Sequence, residues 1–154
     1  MSTKWLDMSL RDFQSALASS SPTPGGGTAA AVALGQASAL TLMVCDLTIG
    51  NEKWKDGWDV AEKAVMAAIK IMSRAGDLAD EDSDSFEKVM QSFKLPKNNE
   101  NEIQNRRNEI RSCTLVAAEV PLETATIALE LMELLPELAK RGNTNAASDV
   151  GVAG

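Results

Sequence analysis

Residues 21–50 read SPTPGGGTAAAVALGQASALTLMVCDLTIG, and this stretch decides how the chain folds. Its first part is a loop with two prolines and three consecutive glycines: Pro22, Pro24, Gly25, Gly26 and Gly27. Proline fixes φ and has no N–H donor, whereas glycine leaves its N–H group uncovered by any side chain. Because alanine is the best helix former, the run after the loop predicts a helix from about Thr28, acting as N-cap, to Thr48.

The junction between this loop and helix is a candidate ligand site. The first N–H groups of a helix have no intrahelical acceptor, and the helix dipole is positive there, so an anionic group can bind. Residues 25–30 fit the loose dinucleotide pattern G-x-G-x-x-A, but the match is weak because no strand precedes them. An ordinary turn is the alternative interpretation of the cluster.

Small side chains occupy two rows of the predicted helix. The first row contains Ala29, Ala33, Ala37 and Thr41, and the second contains Ala31, Gly35 and Ala39. Small residues let neighbouring helices approach closely, so we expect this helix to lie at the centre of a bundle. A membrane span explains the stretch less well, because polar residues dilute it and no basic leader with a cleavage site precedes it.

The composition limits both the fold and the chemistry. Hydrophobic residues make up 44% of the 154 residues but aromatic ones only 4%, which favours closely packed helices over sheets. The length predicts one domain, residues 1–154. The net charge of −7 argues against nucleic acid or an anionic membrane as partner. The sequence contains no histidine, which excludes catalysis by imidazole and zinc sites with imidazole ligands, and we predict no metal site.

The two cysteines, Cys45 and Cys113, lie within apolar helical patterns. A catalytic thiolate needs activation, so we assign neither of them to catalysis. We expect two reduced thiols in a cytoplasmic protein.

Helical periodicity covers most of the remaining chain. It predicts a helix that begins after Ser9, its N-cap, and another that begins near Val60. A long pattern starts near Glu100, and Pro121 within it predicts a kink or two abutting helices. Gly142 suits the position just after its end. We therefore predict an all-α bundle of about five to six helices with the alanine-rich helix at its centre.

One carboxylate is predicted where a charge is costly. Phe86, Val89, Met90 and Phe93 form an apolar face at helical spacing. Asp82 lies four residues before Phe86, so on a continuous helix it shares that face. A carboxylate there needs a partner or a function. The alternative is a capping or first-turn aspartate that the helix dipole stabilises.

Five short motifs occur in order along the chain. They are Pro22-Thr23-Pro24-Gly25-Gly26-Gly27, Met43-Val44-x-x-Leu47-Thr48-x-Gly50, Asp82-x-x-x-Phe86-x-x-Val89-Met90, Lys94-Leu95-Pro96-Lys97 and Gly142-Asn143-x-Asn145-x-x-Ser148-Asp149. Together they resemble the cyclodeaminase/cyclohydrolase family, which includes the C-terminal domain of formiminotransferase-cyclodeaminase and the free-standing methenyltetrahydrofolate cyclohydrolases. The resemblance covers nearly the whole chain.

The resemblance implies an all-helical, dimer-forming protein that binds tetrahydrofolate derivatives. A cyclohydrolase adds water to the methenyl carbon between N5 and N10 and produces 10-formyltetrahydrofolate. A cyclodeaminase closes the methenyl bridge from a formimino group and releases ammonia. Both reactions transfer a proton beside a cation, which implies Asp82 as general base or counter-charge. The resemblance implies a folate substrate and no further cofactor.

The resemblance also implies which residues bind the substrate. The folate glutamate tail is anionic, which gives the glycine loop and two lysines a binding role. The implied substrate-binding residues are Pro24, Gly25, Gly26, Gly27, Lys94, Lys97, Asn143, Asn145, Ser148 and Asp149.

Family members continue past the fifth motif, so we expect this domain to be C-terminally short and completed by pairing with a second copy. We expect a cyclohydrolase, because no formiminotransferase half is joined to the chain. A cyclodeaminase and a non-catalytic folate-binding or assembly protein are the alternatives.

Overall fold

The computed structural model describes residues 4–154, which are mostly helical. The helices are α1 (Leu10–Leu17), α2 (Gly26–Thr48), α3 (Trp58–Ser92), α4 (Glu100–Arg141) and α5 (Ala147–Ala153). Short 3-10 helices cover Trp5–Asp7, Glu52–Gly57 and Thr144–Ala146. No strand occurs within residues 4–154, and the prediction of an all-α fold with about five helices is confirmed.

The described chain divides into two compact units. The first contains the chain up to Ala31 together with Asp77–Glu123, and the second contains Val32–Gly76 and Thr124–Gly154. Helices α2, α3 and α4 each contribute residues to both units. The single domain predicted from the length of the chain stays a prediction.

In the first unit, polar caps and an aromatic contact fix the N-terminal segment. Ser9 is the N-cap of α1, as predicted, and its hydroxyl oxygen accepts a hydrogen bond from the backbone N–H of Asp12 at 3.1 Å. Such a cap satisfies one of the donors that a helix start leaves open. The rings of Trp5 and Phe13 meet edge to face with centroids 6.1 Å apart, and Phe13 is buried.

The core of the second unit is built from small and aliphatic side chains. Alanines on α3 let other helices approach closely, because they add almost no side-chain bulk. The buried residues are Leu34, Val44, Cys45, Ala61, Ala64, Ala68, Ile71, Ala75, Leu131, Leu135, Leu138, Ala146, Val150 and Ala153. Leu131 and Leu138 are each only 1% exposed, and burying a leucine side chain contributes about 1.5–3 kcal/mol.

In the second unit, an ion pair joins the start of α3 to the end of α4. The Arg141 guanidinium donates to both carboxylate oxygens of Asp59, at 2.7 and 3.3 Å, and also to the backbone carbonyl of Asp56. The hydrogen bond from Arg141 lowers the pKa of the Asp59 carboxyl below its ordinary value. Gly57 packs on the Arg141 carbonyl group, where an added Cβ would lie 2.7 Å from the carbonyl carbon.

Helix α2 buries one stripe of small and polar residues. The buried positions are Thr28, Ala31, Leu34, Ser38, Thr41, Val44, Cys45 and Thr48. Ala33 and Ala39 are exposed, so the close packing predicted for both rows occurs along a single stripe. Within residues 4–154, α2 is the one helix long and apolar enough to cross a membrane, a property that core helices of soluble proteins share.

The predicted start of α2 is wrong, and of the two alternatives predicted at Pro121, a kink or two abutting helices, the second is not formed. Helix α2 begins at Gly26 rather than Thr28, so Thr28 lies in the first turn and is not the N-cap. Helix α4 runs through Pro121 without interruption, so two abutting helices are not formed. The neighbouring Val120 and Thr124 are buried, and this packing outweighs the one backbone hydrogen bond that proline removes.

Candidate active site

The glycine loop and Asp82 meet at the start of α2. A Cβ atom added to Gly27 would overlap the Asp82 carboxylate, 2.6 Å from Cγ and 2.8 Å from Oδ2. The same atom added to Gly26 would meet nothing within 4 Å. A side chain at position 27 would therefore force the carboxylate or the helix start to move, because the carboxylate packs directly against the backbone.

A hydrogen-bonded hydroxyl holds the Asp82 carboxylate. Thr28 Oγ1 donates to Asp82 Oδ2 at 2.9 Å and lies 2.9 Å from Ser83 Oγ. The indole Nε1–H of Trp5 donates to the same serine oxygen at 2.9 Å. The sequence indicated Thr28 only as a cap and gave no reason to select Ser83 or Trp5, because these contacts join residues more than 50 positions apart.

The sequence predicts an anion site at the start of α2, but the Asp82 carboxylate of the chain itself lies there. Asp82 is half-buried beside the first turn of α2, where the helix dipole stabilises a negative charge. Earlier in the loop, the Thr23 hydroxyl donates to Glu87 Oε1 at 3.1 Å, and Pro24 is buried after a cis peptide bond. Thr23 thus ties the loop to an acidic residue of α3.

The apolar face predicted to surround Asp82 is exposed in the single chain. Phe86, Met90 and Phe93 are 42%, 41% and 53% exposed, so their predicted burial is wrong. The buried residues of α3 nearby are serines instead: Ser83 lies on one side of the helix, and Ser85 and Ser92 share another. Serine is small, and the hydroxyls of Ser85 and Ser92 bond to carbonyl groups of their own helix, which lets this side pack closely without unpaired polar groups.

An open cleft of about 700 Å³ lies in the same unit. Its lining residues are Lys4, Trp5, Met8, Thr23, Asp77, Asp80, Glu81, Ser83, Asp84 and Glu87. Carboxylates outnumber the one lysine, which lies 3.9 Å from the Asp77 carboxylate. The cleft therefore favours a cationic group over an anionic one.

The predicted binding lysines lie in the connection between α3 and α4. Lys94 and Lys97 are both exposed, and neither makes an ion pair with any residue in the described part of the chain. Arg106 lies close to the end of α3, with its guanidinium over the Phe93 ring and a hydrogen bond to the Phe93 carbonyl at 3.2 Å. A binding role for the lysines stays a prediction.

The last predicted motif belongs to the second unit. The Asn143 side chain donates to the Leu47 carbonyl at 3.1 Å and accepts from the Asn145 N–H at 3.0 Å, while its backbone N–H donates to Thr48 at 3.0 Å. These bonds tie the turn after α4 to the end of α2. Ser148 and Asp149 lie in the first turn of α5. A substrate-binding role for this motif also stays a prediction.

In the described part of the chain, neither a catalytic thiolate nor a metal site is found. Burial raises the pKa of the Cys45 thiol to about 11, so it carries almost no thiolate at neutral pH. Cys113 is half-buried and also free. Across residues 4–154, no group of three or more candidate side chains is arranged to hold a metal ion.

Comparisons with known proteins agree with the five motifs. A family model described as formiminotransferase-cyclodeaminase matches residues 9–154. The methenyltetrahydrofolate cyclohydrolase of Methylorubrum extorquens is 38% identical over 94% of this chain and 69% of its own length. The formimidoyltransferase-cyclodeaminase of Mus musculus is 31% identical over 96% of this chain, which spans 27% of that protein.

A solved structure agrees as well. Formiminotetrahydrofolate cyclodeaminase from Thermotoga maritima matches with a TM-score of 0.76 and 35% identity, over 95% of this chain and 69% of that one. The resemblance inferred from the motifs is thus confirmed. Because the family model covers nearly the whole sequence, this chain belongs to the formiminotransferase-cyclodeaminase family.

Proposed function

We propose that this protein interconverts folate one-carbon groups, and that its reaction is the hydrolysis of 5,10-methenyltetrahydrofolate to 10-formyltetrahydrofolate. The observation that carries the proposal is the Asp82 carboxylate, which Thr28 holds against Gly27 at the start of α2. The 38% identity to a protein named methenyltetrahydrofolate cyclohydrolase supports hydrolysis as the reaction.

In the proposed mechanism Asp82 is the general base. Water attacks the methenyl carbon of the amidinium cation, and the carboxylate accepts the proton that this water loses. The bond from that carbon to N5 then breaks, while the new hydroxyl loses its proton to form the formyl group and N5 gains one. The net products are 10-formyltetrahydrofolate and one proton. A carboxylate beside the cation also stabilises the positive charge before attack.

The charges of the first unit suit a substrate with a cationic end and an anionic tail. The acidic cleft supports binding of a cation in this unit, and Gly27 of the glycine loop packs against Asp82, which is not among the residues that line the cleft. Lys94 and Lys97 are free to pair with the glutamate carboxylates. No cofactor other than the folate takes part.

A second candidate reaction is the cyclodeaminase reaction, which the Thermotoga maritima structure favours. There N10 attacks the carbon of the protonated formimino group, the N10 proton passes to the departing nitrogen, and ammonia leaves as the cationic methenyl bridge closes. The same carboxylate would move the proton that passes from N10 toward the departing nitrogen.

We also propose that two copies of the chain form a homodimer. Large apolar side chains are exposed on the single chain, and large exposed apolar surfaces often mark interaction sites. In the first unit they include Leu10, Phe86, Met90, Phe93, Leu115 and Leu122. A homodimer predicts that charging this surface, for example by Phe93→Asp, increases the monomer fraction in sedimentation. A wild type that is monomeric at micromolar concentration would contradict it.

One assay separates these functions. Loss of methenyltetrahydrofolate absorbance reports hydrolysis, and ammonia release from formiminotetrahydrofolate reports deamination. We expect Asp82→Asn to slow the active reaction about 100- to 10,000-fold, the usual contribution of a general base. Glu62→Gln, an exposed carboxylate on the same helix, is the matched control and should retain full activity.

The outcomes of this assay are distinct. An undiminished rate in Asp82→Asn contradicts the role of the carboxylate. Folate binding without turnover of either substrate identifies a non-catalytic binding or assembly protein instead.

A further inference from the structure

Four side chains form one continuous chain of hydrogen bonds that ends on Asp82. The indole N–H of Trp5 donates to Ser83 Oγ at 2.9 Å, Ser83 Oγ and Thr28 Oγ1 are 2.9 Å apart, and Thr28 Oγ1 donates to Asp82 Oδ2 at 2.9 Å. The three bonds join the N-terminal 3-10 helix, α2 and α3 within one compact unit.

The direction of every bond in this chain is fixed by its two ends. An indole N–H can only donate, and an ionised carboxylate can only accept. Thr28 has one hydroxyl proton, and it gives that proton to Asp82. The proton between the two hydroxyls must therefore come from Ser83, whose oxygen in turn accepts from Trp5. Each of the two hydroxyls donates once and accepts at least once.

The middle of the chain is closed to water. Thr28 is 0% exposed and Ser83 is 4% exposed, so neither hydroxyl can replace a lost partner with solvent. The start of the chain is also fixed, because the Trp5 backbone N–H donates to Asp80 Oδ1 at 3.0 Å and its ring packs against Phe13. Because Trp5 is fixed, each hydroxyl proton in the chain has one possible acceptor, and the last of these acceptors is the Asp82 carboxylate.

We propose that Thr28, Ser83 and Trp5 are positioning residues for Asp82. The Thr28 bond holds one carboxylate oxygen, and the carboxyl group packs directly against the backbone of Gly27. The carboxylate is thereby oriented before substrate binds. This proposal rests on the proposed catalytic role of Asp82. It places the N-terminal segment, through Trp5, among the parts of the chain that set the turnover rate.

The test compares kcat and KM for threonine variants in the intact protein. Thr28→Val keeps the shape but removes the donor, and we expect kcat to fall about 10- to 100-fold with KM changed less than about twofold, as for a misplaced catalytic group. Thr28→Ser restores the hydroxyl and should recover most of kcat. Thr41→Val is the matched control, because Thr41 is equally buried in α2 but donates only to the Ala37 carbonyl.

Non-additivity gives a second readout. If Thr28 acts through the carboxylate, Thr28→Val should have little effect on kcat once Asp82 is already asparagine. A Thr28→Val enzyme with normal kcat overturns the positioning role, while a slow Asp82→Asn enzyme would still uphold the proposed function. An unimpaired Asp82→Asn enzyme overturns the proposed function itself.

A third readout needs no activity. The Trp5 indole N–H signal in the NMR spectrum, assigned with Trp5→Phe, should shift in Ser83→Ala and in Thr28→Val but not in Thr41→Val. An indole signal that is unmoved by both Ser83→Ala and Thr28→Val shows that the chain of bonds does not form and overturns the inference.

Discussion

Substituting Gly27 by alanine tests the contact on which the site depends. The added Cβ would lie 2.6 Å from Asp82 Cγ and 2.8 Å from Oδ2, so either the helix start or the carboxylate must move. Gly26→Ala makes the same chemical change one residue earlier, where a Cβ meets nothing within 4 Å. The pair of variants therefore isolates the overlap from the general effect of replacing a helical glycine.

The two substitutions should change the free energy of unfolding in opposite directions. Gly26→Ala reduces the entropy of the unfolded chain and should raise the free energy of unfolding by up to about 1 kcal/mol. Overpacking at Gly27 costs about 1–3 kcal/mol. Losing the Thr28 bond to a charged carboxylate costs about 1.5–3 kcal/mol more, reduced in part because half-buried Asp82 can turn toward water. We expect Gly27→Ala to be about 2–4 kcal/mol less stable than Gly26→Ala, together with a slower turnover.

Chemical denaturation of four proteins measures this effect. Wild type, Gly27→Ala, Asp82→Ala and the double variant form a cycle whose interaction energy reports the overlap. The atoms that the new Cβ approaches most closely all belong to the carboxyl group, so in the Asp82→Ala background the alanine at position 27 should cost nothing. Equal stability of Gly27→Ala and Gly26→Ala, or an undiminished penalty without the carboxylate, would refute the reasoning.

Other predictions concern the second unit and the thiols. Arg141 lowers the pKa of the Asp59 carboxyl below its ordinary value of 3.8. Their pairing therefore stabilises the folded protein at pH values above 3.8, and this stabilisation is lost as the pH falls through the lowered pKa. The difference in the free energy of unfolding between wild type and Arg141→Met should therefore be smaller in acid than at neutral pH, because only the bond to the Asp56 carbonyl does not depend on the charge of Asp59. Gly57→Ala should destabilise the protein by about 1–3 kcal/mol, because its Cβ would strike the Arg141 carbonyl group. With a thiol reagent at pH 8, Cys113 should react in the native protein and Cys45 only after unfolding, because burial raises the Cys45 pKa to about 11.

Features that depend on neighbours in the sequence could be predicted. Ser9 caps α1 because its partner, Asp12, is three residues away, and Gly142 follows α4 because helices commonly end at glycine. The start of α2 could not be placed, because Gly26 and Gly27 both enter the helix and Asp82 packs against Gly27 there. That contact joins distant parts of the chain.

The candidate site shows the same division. Periodicity indicated that Asp82 needs a partner or a function, and its carboxylate accepts a hydrogen bond from Thr28. The apolar face that led to this prediction is exposed at Phe86, Met90 and Phe93. A helical pattern shows which residues share a face, and it does not show whether another element covers that face within one chain. Thr28 was visible in the sequence, but its bond to Asp82 spans 54 positions and leaves no local signal.

A structure of the protein with a bound tetrahydrofolate derivative tests the central claim most directly. We predict that the folate lies against the glycine loop and that an Asp82 carboxylate oxygen lies about 2.6–3.2 Å from the attacking water or the bridging nitrogen, the distance for proton transfer. Thr28 should still donate to Asp82 in that complex. A folate bound elsewhere, with Asp82 beyond hydrogen-bond reach of the one-carbon bridge and of its water, would contradict the claim.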